Sequence, residues 1–315
     1  MKSTAIVFEA PGQLQVRDLD LVAMSDDDVL VQVHFSGIST GTERLLWEGS
    51  MPPFPGLAYP LVPGYESVGQ VVDKGPGVER LAVGDWVFVP GAHALQGVQN
   101  VFGGAAAHLV SAQARVVKLA PEWQAQGVLL ALAATAHHVL TAHQPAGHLQ
   151  CPELIIGHGV MGRLLARLVI ATGHEPPVVW EQQALRHSGA QGYEVGSPPD
   201  QAGRLFKSIC DVSGDATIID SVMTHLAPGG EVVLAGFYKQ ALSIAYAPAF
   251  MREARIRIAA QWQAADMQAV VDLWRQGRLH LDGLITHTEP ARQAERAYGL
   301  AFADPACLKM VLDWR

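Results

Sequence analysis

Apolar residues in the first third of the chain come in short runs rich in β-branched and aromatic side chains, at residues 29–34, 67–72, 85–89 and 115–119. Gly/Pro clusters separate them, notably Gly49-Ser50-Met51-Pro52-Pro53-Phe54-Pro55-Gly56 and Lys74-Gly75-Pro76-Gly77. Short runs bounded by turn residues predict a mostly β domain. After Pro121 the spacing changes. Residues 126–143 are Ala- and Leu-rich with a helical period, and strand-like and helix-like segments then alternate to about residue 260. Such alternation predicts an α/β fold with a doubly wound parallel sheet covered on both faces. The tail predicts a helix over 266–276, a strand over 283–287, a helix over 291–301 and a last strand over 307–314.

Composition narrows the setting. With 49% hydrophobic and 17% charged residues in 315, the chain excludes disorder, collagen-like repeats and coiled coil. At roughly 150 residues per domain, two domains are expected. Thirty acidic against 22 basic side chains leave a formal charge of -8, which argues against a nucleic-acid or anionic-lipid partner. Cys151, Cys210 and Cys307 form no Cys-x-x-Cys pair and suit a reducing cytoplasm better than a secreted disulfide framework. Residues 1–11 carry no long apolar core, so no signal peptide is expected. The apolar stretches 127–136 and 154–171 are too short, or are interrupted by His158, Arg163 and Arg167, to span a bilayer.

The most specific local signal lies at Gly157-His158-Gly159-Val160-Met161-Gly162, after an apolar strand candidate over 153–156 and before an amphipathic helix that ends at Gly173. In a GxGxxG loop the first glycine permits the tight turn, the second lets a pyrophosphate approach the backbone, and the third lets helix pack on strand. The helix N-terminus then offers unpaired N–H groups to the phosphates. The next strand candidate, 177–180, ends in Glu181, 24 positions after Gly157. An acid there bonds the adenosine ribose and favours NAD over NADP, while Arg186 nearby is placed to reach a 2′-phosphate. Ser213, Gly236 and Phe237, in turns after two later strand candidates, are second-tier cofactor contacts or ordinary turn residues.

The order of domains and several motifs resemble the medium-chain dehydrogenase/reductase superfamily over essentially the whole chain. FSGISTGTE (35–43) is similar to the segment carrying its first catalytic zinc ligand, VPGYESVGQV (62–71) to its Pro-Gly-His-Glu stretch, and VGDWV (83–87) and LAPGGEVV (226–233) to two further signatures. The resemblance implies a GroES-like catalytic domain over 1–125, a Rossmann NAD-binding domain over 126–260 and a segment over 261–315 that returns to pack on the catalytic domain. It also implies an unusual site. Ser39 or Thr40 stands where zinc-dependent members have Cys, Tyr65 where they have His, and the third ligand position falls near Ala131, leaving Glu66 as a remaining ligand candidate. No Cys precedes Cys151, so the four-cysteine structural zinc lobe is absent as well. A metal-free enzyme is expected.

Longer runs, at 35–49, 51–56, 59–69, 248–258 and 304–314, resemble the bacteriochlorophyllide a dehydrogenases of photosynthetic bacteria. That resemblance implies NAD-dependent oxidation of a 3-(1-hydroxyethyl) group on a chlorin or bacteriochlorin to 3-acetyl, in bacteriochlorophyll a synthesis. Without zinc, the residues that replace its ligands are the candidates for catalysis. Tyr65 would hold the substrate oxygen and pass its proton on, Ser39 or Thr40 would hydrogen-bond the same oxygen, and Glu66 would accept the proton or orient Tyr65. Each has a plainer reading: Tyr65 as a packed aromatic, Glu66 as a buried acid paired with an Arg. A flat apolar tetrapyrrole calls for a wide cleft between domains, with Trp47, Met51, Phe54, Leu57 and Tyr59 of the Pro-rich loop as one wall, or as loop residues packed on their own domain. His137 and His138 lack the spacing of a two-His metal site and are read as helix-packing residues, or His138 as a neighbour of the cofactor.

Two other functions fit the same residues. One is a zinc-free, NADPH-dependent quinone or enoyl reductase of the superfamily; the other is a nucleotide-binding protein without catalysis. A homodimer is expected through the strand at 255–258, by analogy with related dehydrogenases.

Overall fold

The computed structural model describes residues 1–145, 147–197 and 203–315. They form two compact units: Met1–Ala131 together with Leu284–Arg315, and Leu132–Gly283.

The first unit opens with the hairpin β1 (Lys2–Ala10) and β2 (Gln13–Asp20), turned at Gly12. Then come β3 (Asp28–Ile38), helix α1 (Thr42–Glu48), β4 (Ser67–Lys74), β5 (Trp86–Val89), β6 (His108–Ala112) and β7 (Val117–Lys118). The pattern of short apolar runs anticipates β3, β4, β5 and β7. It misses the first hairpin and β6, whose sequence HLVSA is too short to show a period, and which forms because the N-terminal half of β3 accepts a second antiparallel partner over Asp28–Gln32.

The second unit holds α2 (Leu130–Thr141, beginning just before the boundary), β8 (Leu154–Ile156), α3 (Val160–Ala171), β9 (Val178–Trp180), β10 (Glu194–Gly196), β11 (Phe206–Asp211), α4 (Ile218–His225), β12 (Leu226–Leu234), α5 (Tyr246–Met251), β13 (Arg255–Ile258) and α6 (Ala264–Arg275). Its six strands run parallel in the order β10-β9-β8-β11-β12-β13, so the order reverses between β8 and β11. At such a switch point the loops at the carboxyl ends of the strands open a crevice for ligands. Leu164, Leu165, Leu168 and Val169 bury one face of α3, while Ile209, Ile219, Val222, Met223 and Val232 fill a core that includes β11, α4 and β12. The expected alternation fails in one place. Among the described residues between β9 and β11 there is no α-helix, only a single 3₁₀ turn at Ala184–Arg186.

The chain returns to the first unit with β14 (His287–Pro290), α7 (Ala294–Ala303) and β15 (Met310–Asp313), the last pairing with β3 from Ile38 to Phe35. The seven-stranded sheet runs β14-β15-β3-β4-β5-β7, with β6 also on β3. The return begins at Leu284, so residues 261–283, which the sequence reading places with the tail, belong to the second unit. Asp266 explains this. It completes a capping box with Gln263 at the start of α6, and its carboxylate also accepts hydrogen bonds from His137 Nδ1, His138 Nδ1 and Thr141 Oγ1 on α2, each 2.8 Å long. Burial pushes that carboxyl up, and these donors bring it below the usual range. The adjacent histidines therefore serve helix packing. Among the described residues no helix is long and apolar enough to cross a membrane.

Candidate functional site

Two constellations carry chemistry, one in each unit. In the first unit, β3 runs into Ser39 and the turn before α1, while the segment leading to β4 presents Tyr65. Ser39 Oγ and the Tyr65 hydroxyl share a hydrogen bond of 2.5 Å, and Thr42 Oγ1 lies 3.4 Å from the same hydroxyl. Ser39 and Tyr65 are thus brought together as the sequence reading expects. Thr40 takes no part in these bonds; Thr42, two positions on, supplies the second hydroxyl. Burial and the neighbouring carboxylates Glu66 and Glu43 hold the Tyr65 phenol well above its ordinary range, so it keeps its proton at neutral pH.

Glu66, expected to accept the proton or orient Tyr65, is placed as one half of a buried ion pair. Its carboxylate is completely buried, and both oxygens accept from Lys309 Nζ, at 2.9 and 2.7 Å, while that ammonium also donates to the Ile38 carbonyl. Burial pushes the carboxyl up and the Lys309 charge offsets part of the shift. The pairing is structural, as the plainer reading has it, but the partner is a lysine 243 positions away rather than an arginine. Gly37 lets the pair fit, because a Cβ there would run into Glu66 Oε2.

A second buried acid escaped the sequence reading. Glu43, in the first turn of α1, is fully buried; its carboxyl accepts from the Tyr298 hydroxyl at 2.5 Å and from the Ser39 N–H at 3.0 Å. Burial pushes it up to about 7, against the pull of those two hydrogen bonds. Because Glu43 holds the Ser39 backbone, it is a positioning residue for the hydroxyl pair.

Beside Tyr65 lies Phe102, with ring centroids 5.1 Å apart at 67°. Of the Pro-rich loop residues expected to line a substrate wall, Trp47, Met51, Leu57 and Tyr59 pack against the core of their own unit, Trp47 edge-on to Phe8 and the Tyr59 hydroxyl on the Leu46 carbonyl. Phe54 is exposed. The loop therefore spends most of its apolar surface on its own domain.

In the second unit the loop after β8 has the backbone that its glycines predict. Gly157 adopts a φ of 104°, and Gly159 caps α3. A Cβ on Gly162 would collide with the Gly157 carbonyl oxygen, whereas one on Gly159 would meet nothing nearer than the Arg186 guanidinium at 3.9 Å. As the first residues of α3, Val160 and Met161 have N–H groups without a partner inside the helix. The cradle thus fits a dinucleotide pyrophosphate: close packing below, open space and free N–H groups above. Gly157 and Gly236 approach the backbone of the turn after β11, at Ser213 and Gly214, and Ser213 is held by Asp211 through both its N–H and its hydroxyl. Phe237 is exposed at the same carboxyl edge.

Glu181 stands at the end of β9, but its carboxylate turns inward, accepting from the His158 N–H at 2.9 Å and the Gln183 N–H at 2.8 Å. His158 points into the protein rather than toward a ligand. Its Nδ1–H donates to the Arg186 carbonyl and its Nε2 accepts from the Tyr193 hydroxyl, with the imidazole pushed down to about 4 by burial and hence neutral. Arg163 donates to the carbonyls of His158, Arg186 and Ser188. Together they tie the glycine loop to the segment after β9, where a helix would otherwise stand.

Among the described residues no group of three or more His, Cys, Asp or Glu side chains is placed to hold a metal ion. Around Tyr65 the donors are hydroxyls, and the nearest ligand-type carboxylate is saturated by Lys309, so the residues present do not fit a zinc ion.

Comparison with known proteins agrees with this architecture. Residues 25–122 match the alcohol dehydrogenase GroES-like domain. The chain is similar over 99% of both chains to the structure of an alcohol dehydrogenase from Escherichia coli CFT073 in complex with NADH (TM-score 0.83, 22% identity). It is similar to the same extent to a zinc-binding dehydrogenase from Sinorhizobium meliloti 1021 bound to NADP (TM-score 0.80, 19% identity). It is 49% identical to the 2-desacetyl-2-hydroxyethyl bacteriochlorophyllide A dehydrogenases of Cereibacter sphaeroides and Rhodobacter capsulatus, over 100% of this chain and 99% of each relative. By that whole-length identity, on a GroES-like and Rossmann architecture, the chain belongs to the 2-desacetyl-2-hydroxyethyl bacteriochlorophyllide A dehydrogenase family of the medium-chain dehydrogenase/reductase superfamily.

Proposed function

We propose that the protein oxidises the 3-(1-hydroxyethyl) group of bacteriochlorophyllide a, or of the corresponding chlorophyllide, to 3-acetyl, with NAD as hydride acceptor and without zinc. The substrate rests on one observation, the 49% identity along the whole chain to relatives that carry this activity in their names. The metal-free chemistry rests on the hydroxyl cluster. Bound NAD supplies the acceptor for the hydride that leaves the carbinol carbon; the hydroxyl proton must leave separately. The Tyr65 hydroxyl accepts that proton as its own passes to Ser39 Oγ or Thr42 Oγ1, and that hydroxyl releases its own proton to solvent water, so every hydroxyl of the relay is neutral before and after the step. Its raised pKa suits this role, since the proton taken up stays on the phenol, which then donates a hydrogen bond to the product carbonyl oxygen. Lys309, through Glu66, keeps a compensated charge pair behind the cluster instead of a second base.

NAD is favoured because Glu181 brings a carboxylate to the glycine loop, which disfavours a 2′-phosphate. One observation supports the NADPH-dependent reductase as a second reading: Glu181 is engaged by two backbone N–H groups while the Arg186 guanidinium lies beside Gly159. Parallel titrations with NADH and NADPH decide between them. We also propose a cytoplasmic homodimer formed along β13, the terminal strand of the parallel sheet, where Ile256 and Ile258 are exposed. The activity is tested by incubating the protein with NAD and the hydroxyethyl pigment. The reading expects a product lighter by two hydrogens, formed one for one with NADH. Reduction of quinones by NADPH, with the pigment unchanged, would replace it.

A further inference from the structure

We propose that Phe102 is the aromatic face on which the flat pigment macrocycle rests while Tyr65 meets its hydroxyethyl group, an inference that rests on the substrate class proposed above. Phe102 has a φ of 71° and is followed by Gly103 at 64°. Two successive left-handed residues form the backbone for which Asn-Gly is the favoured pair, and a bulky side chain at the first position costs free energy. The four non-glycine residues with positive φ among the described residues are Phe102, Gln124, His143 and Glu253, and of these it is Phe102 whose ring packs against Tyr65.

Packing does not explain the residue. Val101 is buried in the core of the unit, whereas Phe102 is 36% exposed and outside that core. Its placement is nevertheless fixed. A ladder of backbone bonds joins residues 99–105 to the segment before Tyr65: Val62 N–H to the Gln99 carbonyl, Gly103 N–H to Val62, Gly104 N–H to Gly64 and Ala105 N–H to Pro63, all between 2.8 and 3.0 Å. On the other side, Ala92 N–H donates to the Phe102 carbonyl at 2.7 Å, and Gly91 leaves room for that approach. The backbone that carries the ring is thus held in place, at a conformational cost, and the part-exposed ring packs edge-to-face against the ring of Tyr65. A flat, mainly apolar macrocycle gains from covering such a ring, while the aromatic residues of the Pro-rich loop, Phe54 apart, are spent on their own core.

The test uses Phe102→Asn, which installs the favoured Asn-Gly pair, together with Phe102→Trp. The hydroxyethyl pigment is titrated without NAD, following its absorption and the quenching of protein fluorescence, and melting temperatures and NADH affinity are measured alongside. The Asn variant is expected to melt no lower than wild type and to bind NADH unchanged. Its pigment affinity should fall about 10-fold or more, the worth of one buried aromatic contact. The Trp variant should stay within about 3-fold of wild type, since it keeps the stacking face. Tyr65→Phe should lose turnover while keeping pigment affinity. Wild-type pigment affinity in Phe102→Asn would overturn the role of Phe102 and leave the substrate class standing; no pigment binding by the wild-type protein would overturn both.

Discussion

The glycine loop and the hydroxyl cluster are assembled in different ways. The side-chain bonds that shape the loop, from His158 through Arg163 and Glu181 to Tyr193, lie between residues 157 and 193, with the turn at Ser213 packed beside them. The cluster around Tyr65 draws Ser39, Thr42 and Glu43 from near the N-terminus and Tyr298 and Lys309 from the returning tail. The loop shows its purpose through backbone demands that only glycine meets. The cluster shows its own through charges that must be paired once they are buried, and those pairs are set by the fold. One consequence is that damage to the two should separate cleanly.

The largest separation is expected from Lys309→Met. It strands the fully buried Glu66 carboxylate without its partner, and breaking a buried pair in this way costs about 3–5 kcal/mol. Thermal and urea unfolding should show the loss, and adding Glu66→Gln should recover much of it. NADH affinity of the protein that remains folded should not change. Next is Glu43→Gln. Because burial raises the Glu43 carboxyl from 4.5 to about 7, the folded state holds one more proton than the unfolded chain between those values. Stability from this group therefore falls as pH rises through that window, by up to roughly 3 kcal/mol. The variant should flatten that part of the profile of melting temperature against pH from 5 to 8; an unchanged slope would mean that another group titrates there.

Tyr65→Phe is expected to lower kcat by about 100-fold or more, the usual worth of a positioned acid–base group, with NADH affinity unchanged in a direct titration. Gly162→Ala tests the other region. Crowding the Gly157 carbonyl should cost about 1–3 kcal/mol in melting experiments and weaken NADH binding. Loss of NADH binding in Tyr65→Phe, with a normal melting temperature, would show that the two regions are not independent.

How legible each region was in the sequence follows from the same contrast. The parallel sheet, its glycine loop and the helix after it could be read because strand, turn and helix are neighbours in sequence, and Gly157, Gly159 and Gly162 announce a backbone that other residues resist. Glu181 was found by spacing, but its inward turn was not, since nothing in the sequence shows that the His158 and Gln183 N–H groups would claim it. The missing helix after β9 is another local departure, compensated by Arg163 and His158. Ser39 and Tyr65 were legible as replacements for zinc ligands. Glu43, Tyr298 and Lys309 were not, because a lone acid or lysine carries no sign of burial until the tail has folded back. Phe102-Gly103 left a faint signal: a bulky residue before a double glycine, in a segment without helical or strand period. The placement of 261–283 turned on Asp266, whose hydrogen bonds to His137 and His138 span more than 120 positions.

The central claim, an alcohol oxidation run by hydroxyls instead of zinc, is most directly tested by anaerobic absorption spectroscopy of chelator-treated protein with NAD and the 3-(1-hydroxyethyl) pigment. The account predicts a red shift of the long-wavelength pigment band matched by NADH formation, at a rate that added zinc does not change and that Tyr65→Phe lowers by about 100-fold or more. Turnover that disappears on chelation and returns with zinc, or that stays at the wild-type rate in Tyr65→Phe, would contradict it.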